Sequence, residues 1–169
     1  MLIFAMAGLV LFMFCAVEDE NPFFSEYDTP YQTPPFHIIK TNHYMPAFNE
    51  GMKQQKAAIE GIVSNPEEPT FENTIEALEM SDALLTKVSN VFYNMRSANT
   101  NDDIQAISKE IAPMLSKHSD DIFLNEDLFK RVKAVYENQG DYNLNQEQKM
   151  LLKETYKAFV RGGANLPED

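Results

Sequence analysis

Cysteine is almost missing from this chain. Cys15 is the one thiol in 169 residues, so an intrachain disulfide is excluded. A cysteine-based zinc site is excluded too, because structural zinc takes about four Cys and His ligands. Basic residues are scarce: 14 Lys and Arg stand against 26 Asp and Glu, a formal net charge of −12. Nucleic-acid binders need clustered cations to displace counterions, and peripheral lipid binders need them to meet anionic headgroups. Neither class fits. An acidic surface suits cationic or neutral ligands. No part of the body alternates apolar and polar residues with a period of two, so no strand is expected.

Catalytic patterns are missing as well. There is no H-E-x-x-H pair, nucleophile elbow, Walker loop or Cys/His couple. His37, His43 and His118 are dispersed along the chain, and each reads as a structural histidine. Asp141, Asn143 and Asn145 open like a calcium loop. Gln146 then stands where the sharp turn needs Gly, and Leu152 where a bidentate Glu is needed. Asn99 to Asp103 fails in the same way, because Ile104 follows. The neighbouring carboxylates Glu67-Glu68 and Asp120-Asp121 do not converge as an acid/base pair does, and read as solvated charge. Gly162-Gly163 is followed by no Lys-Ser/Thr and reads as a helix stop. Met45, Met52, Met80, Met95, Met114 and Met150 read as core fillers. No residue is assigned to catalysis, to a cofactor or to a metal.

What is present begins with a leader. Residues 1–17 carry no charge and are nearly all apolar, and Glu18, Asp19 and Glu20 follow at once. That length is at the lower edge for a bilayer span, and its position favours a signal peptide. No Lys or Arg precedes the run, and Phe14 is bulky for a site of lipidation at Cys15. The expectation is export to the periplasm or envelope of a bacterium, or a cytoplasmic protein if the leader is not a signal. Contact with a membrane is expected only through an uncleaved leader or a lipidated Cys15.

Residues 18–40 form an extended segment. Pro22, Pro30, Pro34 and Pro35 alternate with Phe23, Phe24, Tyr27, Tyr31 and Phe36. Proline blocks helix and removes donors, and the aromatics predict a strap packed along a surface. From residue 41 the period turns helical. Met45, Phe48, Met52, Ile59, Ile62 and Val63 share one face of a first helix. Asn65-Pro66 and Pro69 end it. Thr70 caps a second, with Ile75, Leu78, Leu85, Val88, Phe92 and Met95 inward, running to near Arg96. Asn101 to Asp103 start a third (Ile104, Ile107, Ile111, Leu115, Ile122), which Pro113 should kink or split. Asn125 caps a fourth (Leu128, Phe129, Val132, Val135, Tyr136), stopped by Gly140. Asn145 and Gln148 form a capping box for a fifth, with Met150, Leu151, Leu152, Tyr156, Phe159 and Val160 inward and Gly162-Gly163 at its end. The fold class predicted is all-α: about five helices in an antiparallel array, over residues 41–169. The last residues, Ala164 to Asp169, read as the first turn of another helix, so the domain is expected to continue.

Four stretches carry a resemblance. They are Thr33–Lys40 running into His43-Tyr44-Met45-Pro46-Ala47-Phe48; Asn65-Pro66-Glu67-Glu68-Pro69-Thr70-Phe71-Glu72-Asn73-Thr74-Ile75-Glu76-Ala77-Leu78-Glu79; Pro113-Met114-Leu115-Ser116-Lys117-His118 with Asp121-Ile122; and Tyr156-Lys157-Ala158-Phe159-Val160-Arg161-Gly162-Gly163-Ala164-Asn165-Leu166. In order and spacing they resemble the N-terminal part of the thimet oligopeptidase and peptidyl-dipeptidase (dipeptidyl carboxypeptidase) family of zinc metallopeptidases. The resemblance implies a helical, two-lobed, channelled peptide hydrolase whose H-E-x-x-H helix lies far toward the C-terminus. This chain lacks that motif, so no ligand or catalytic base carries over, and the chain alone is expected to be inactive. What carries over is a channel wall that admits short peptides, with zinc held by the catalytic lobe of the full-length parent. The alternative is a free-standing helical module that binds peptides or is tethered to a membrane.

Overall fold

The computed structural model describes residues 20–164. The leader, the Cys15 lipidation site and the helix start expected after Ala164 lie outside the described residues. Among the described residues there is no strand, and α-helices dominate. They are α1 (Tyr44–Val63), α2 (Ala77–Met80), α3 (Ala83–Ala98), α4 (Asp102–Phe123), α5 (Glu126–Glu137) and α6 (Gln146–Gly162). A π-helical turn, Phe71–Glu76, leads into α2. The all-α expectation holds. No described helix is long and apolar enough to cross a membrane.

Helix starts follow the caps. Asn101, Asn125 and Asn145 each accept a backbone N–H three residues on, from Ile104, Leu128 and Gln148, at 2.9 Å. Gln148 returns the bond to Asn145 N at 3.0 Å, which closes the capping box. Gly163, at φ 102, ends α6 in the left-handed region where a side chain is strained. Helix α5 stops at Glu137, with Asn138 as its last cap; Gly140 sits beyond, in a short 3-10 turn.

Four expectations need correction. First, the second helix is not continuous: it breaks at Ser81 and Asp82, between α2 and α3. Ser81 Oγ donates to Leu78 O at 2.6 Å, and Asp82 leaves the helical region (φ −100, ψ 11). A hydroxyl that bonds its own helix backbone competes with the ladder. Second, of the two outcomes expected at Pro113, a kink or a split, the split does not occur: α4 runs unbroken past it. Pro113 is exposed, as is Lys109, whose carbonyl is the one that loses a helical donor to the proline. Third, Met80 and Met150 are not core residues, being 68% and 53% exposed, and Val160 is also exposed. The apolar stripe of each helix is narrower than composition suggests. Fourth, the segment before residue 41 is extended only in part. It makes 3-10 turns at Pro22–Phe24 and Pro30–Gln32. It does pack as a strap. Phe23 is buried with its ring 5.5 Å from that of Tyr44. Lys87 Nζ, on α3, donates to the carbonyls of Phe23 at 3.2 Å and Ser25 at 2.6 Å, and lies 4.0 Å above the Tyr27 ring.

Two apolar cores result, and α1 threads both. Its first half contributes Tyr44, Ala47 and Phe48 to a core with Phe23, Val88, Phe92, Ile104 and Ile111. Its last turns contribute Ile59 and Ile62 to a second core with Phe71, Ile75, Leu128, Val132, Leu152 and Phe159. Each large apolar side chain so buried contributes about 1.5–3 kcal/mol. Between the two halves α1 carries Gly51 and Gln55, both buried.

Candidate functional site

The stretch Asn65 to Glu79, the second of the four that carry the resemblance, has a folding role in the structure. Thr70 Oγ1 accepts from Asn73 N at 3.1 Å, and Asn73 Oδ1 accepts from Thr70 N at 2.8 Å. Asn73 Nδ2 donates back to Glu68 O at 2.9 Å. From α5, Arg131 reaches across with one terminal nitrogen on the carbonyls of Asn65 (3.0 Å) and Glu67 (3.2 Å), and the other on Asn73 Oδ1 (3.2 Å). Tyr142 Oη donates to Pro69 O at 3.0 Å. These bonds satisfy carbonyls of a proline-rich turn that have no helical partner. The motif is a knot that joins α1, the π turn and α5.

A cleft of about 460 Å³ lies where the two cores meet. That volume is in the range of small-molecule and peptide side-chain sites. Its walls come from five elements. Helix α4 supplies Leu115, His118, Ser119, Ile122 and Phe123; α6 supplies Leu151, Glu154, Thr155, Ala158 and Phe159. Gln55 of α1, Leu78 and Glu79 of α2, Asp82 of the break and Leu85 of α3 complete it. Most of this surface is apolar. Three of the four stretches that carry the resemblance border the cleft, through Leu78 and Glu79, through Leu115, His118 and Ile122, and through Ala158 and Phe159.

A short polar chain lies against this apolar lining. Gln55 is buried on α1. Its Oε1 lies 2.7 Å from His118 Nε2, and its Nε2 donates to Ser81 Oγ at 3.4 Å. Gln55 thus ties the helix break to α4. Because Oε1 only accepts, His118 carries its proton on Nε2 and Nδ1 is left as an acceptor. Burial pushes the His118 pKa below its ordinary value. Asp121 opposes that shift and Lys56 adds to it. At neutral pH the ring is therefore uncharged. Glu154 Oε1 takes Lys157 at 2.8 Å. Asp82 Oδ2 takes the Thr86 hydroxyl at 2.9 Å.

The histidines do not come together around one centre. His118 borders this cleft. His37 and His43 border another cavity, in the N-terminal strap, where His43 Nδ1 accepts from Lys40 N at 3.0 Å. Among the described residues no three His, Cys, Asp or Glu side chains converge as metal ligands. The zinc that the resemblance implies does not fit on the described residues. Sequence reasoning named none of the cleft's polar residues as functional. They lie on four helices and the break between α2 and α3, and no linear spacing marks them.

The described residues thus form a helical scaffold around a lined cleft. No family model matches the chain. Dipeptidyl carboxypeptidase from Escherichia coli (strain K12) is 42% identical over 148 residues, 88% of this chain and 22% of the relative. Oligopeptidase A from Salmonella typhimurium is 24% identical over 141 residues, 83% of this chain and 21% of the relative. Thimet-like oligopeptidase from Dictyostelium discoideum is 24% identical over 134 residues, 77% and 19% respectively. Over this stretch the chain is a homologue of the dipeptidyl carboxypeptidases and oligopeptidases. It spans about a fifth of the length of these relatives.

Proposed function

We propose that this chain is the N-terminal helical portion of a zinc metallopeptidase that hydrolyses short peptides, of the dipeptidyl carboxypeptidase and oligopeptidase type. In this reading it forms channel wall and not the catalytic centre. The observation that carries it is the 42% identity spread over 88% of the chain. The positions that make up the motifs support it, because they serve as caps, as core and as the wall of a cleft. Zinc, on residues outside those described, would supply Lewis-acid activation of water. The described residues hold the wall rigid, line it with apolar side chains and place acceptors at its surface. Export to a bacterial envelope accompanies this reading. A mature N-terminus near Glu18, found on protein recovered from the envelope, supports export, and recovery of the protein from the cytoplasm alone, with Met1 intact, removes it.

The test is a chimera in which residues 20–164 replace the matching stretch of the Escherichia coli relative. The expected result is retained zinc-dependent cleavage of short blocked peptides, with no cleavage by the 169-residue chain alone. A chimera that folds and is inert overturns the reading. So does zinc-dependent cleavage by the isolated chain.

A further inference from the structure

The cleft between α4 and α6 has an unbalanced set of polar groups. Its lining carries three carboxylates, those of Glu79, Asp82 and Glu154, and its other fixed polar side chains, Gln55 and His118, are bonded to each other. No Lys or Arg is among its lining residues. The hydroxyls of Ser119 and Thr155 can turn either way. The nearest cation with a stated contact, Lys157, is already bonded to Glu154, so an anion meets no lining cation of its own. A purely apolar guest fits the floor, but it strips water from the carboxylates and returns nothing, which is costly. The complementary guest has an apolar body and a charged donor.

We propose that this cleft binds the free α-amino end of a peptide whose first side chain is large and apolar. The side chain lies on the floor formed by Leu85, Leu115 and Phe159, and the ammonium meets the carboxylates of Glu79 and Asp82. Glu79 is an exposed residue of the lining, whereas Asp82 is half-buried at the break and has Oδ2 on Thr86. Glu154 contributes less, because Lys157 already holds one of its oxygens. Peptides as the source of the amine rest on the reading of the chain as part of a peptide hydrolase. The cleft itself belongs to this chain, so its occupancy is measurable without catalysis. Failure here therefore leaves the chimera result untouched, and an inert chimera leaves this result untouched.

The chain contains no tryptophan, so the fluorescence of a Trp ligand reports binding without background. The probe is Trp-Leu-amide with a free amine, titrated against the full chain, beside its N-acetyl derivative. The free amine should bind saturably. Acetylation should weaken binding by at least about tenfold, since charge-assisted hydrogen bonds are lost. Glu79→Gln and Asp82→Asn should each weaken it by about two- to tenfold with the helical circular dichroism unchanged. Asparagine keeps an acceptor for Thr86, so the second variant preserves the break. Equal binding of the acetylated peptide overturns the proposal. So does an absence of saturation up to millimolar ligand, or binding that both variants leave unchanged.

Discussion

His118 and Gln55 lie 63 residues apart in the chain and 2.7 Å apart in space. Through this bond and the contact with Ser81, one buried amide holds the middle of α1, the break before α3 and the wall of the cleft. Replacing Gln55 by Leu leaves the His118 Nε2–H without this partner and removes a donor to Ser81 Oγ, whose own hydroxyl stays on Leu78 O. The expected loss is about 1–3 kcal/mol, read as a lower midpoint in urea. A Gln55→Leu chain as stable as the parent contradicts the role assigned to this amide.

The same histidine makes stability depend on pH. Burial lowers its folded pKa beneath the unfolded value near 6.5. Between the two values the unfolded chain binds more protons, so stability rises with pH there. The contribution is complete above roughly pH 6.5 and fades as pH falls through that point toward the folded pKa. Thermal melts at about pH 7.5 and about pH 5.5 should show a drop in the parent that is smaller in His118→Ala. Identical drops in both chains remove His118 as the cause.

Arg131 and Asn73 carry the proline-rich knot. Arg131→Ala leaves the carbonyls of Asn65 and Glu67 and Asn73 Oδ1 without this donor, for an expected loss of about 1–3 kcal/mol. Thr70→Ala removes the cap at about 0.5–2 kcal/mol. Asn73 is bonded to both residues, so the double variant should deviate from additivity by more than about 0.5 kcal/mol. Strict additivity in denaturant melts shows that the knot is not a unit.

Two glycines of α1 should respond in opposite directions. A Cβ on Gly51 would sit 3.0 Å from the backbone of Leu85, where α1 and α3 touch. Gly51→Ala therefore forces the helices apart, at an expected cost of about 1–3 kcal/mol. Gly61 has nothing within 4 Å of the same position. Gly61→Ala should stabilise by about 0.5–1 kcal/mol through reduced freedom of the unfolded chain. Thermal midpoints that move the same way for both alanines contradict the close crossing of α1 and α3.

Much of the helical framework was legible in the sequence because its signals are local. Thr70, Asn101, Asn125 and Asn145 mark helix starts through bonds that span three residues. Gly163 marks an end by its own backbone angle. Ile111, Leu128, Val132 and Phe159 fall on periodic faces, and they are fully buried. Reading failed where a neighbour across the fold decided. The second helix reads as continuous through Ser81, and its break became visible only with the Ser81 hydroxyl turned onto Leu78 and with Gln55 opposite. Met80 and Met150 look like core fillers by type, but both stand exposed.

The sequence by itself determined an acidic, all-helical chain with a peptidase family's motifs, because charge, period and caps depend on residue type and short spacing. The tertiary structure alone decided that the stretch from Asn65 to Glu79 is a knot tied by Arg131, and that five helices line a largely apolar cleft with three carboxylates. Both depend on side chains that meet across about sixty residues of chain, a distance over which no local pattern specifies who faces whom.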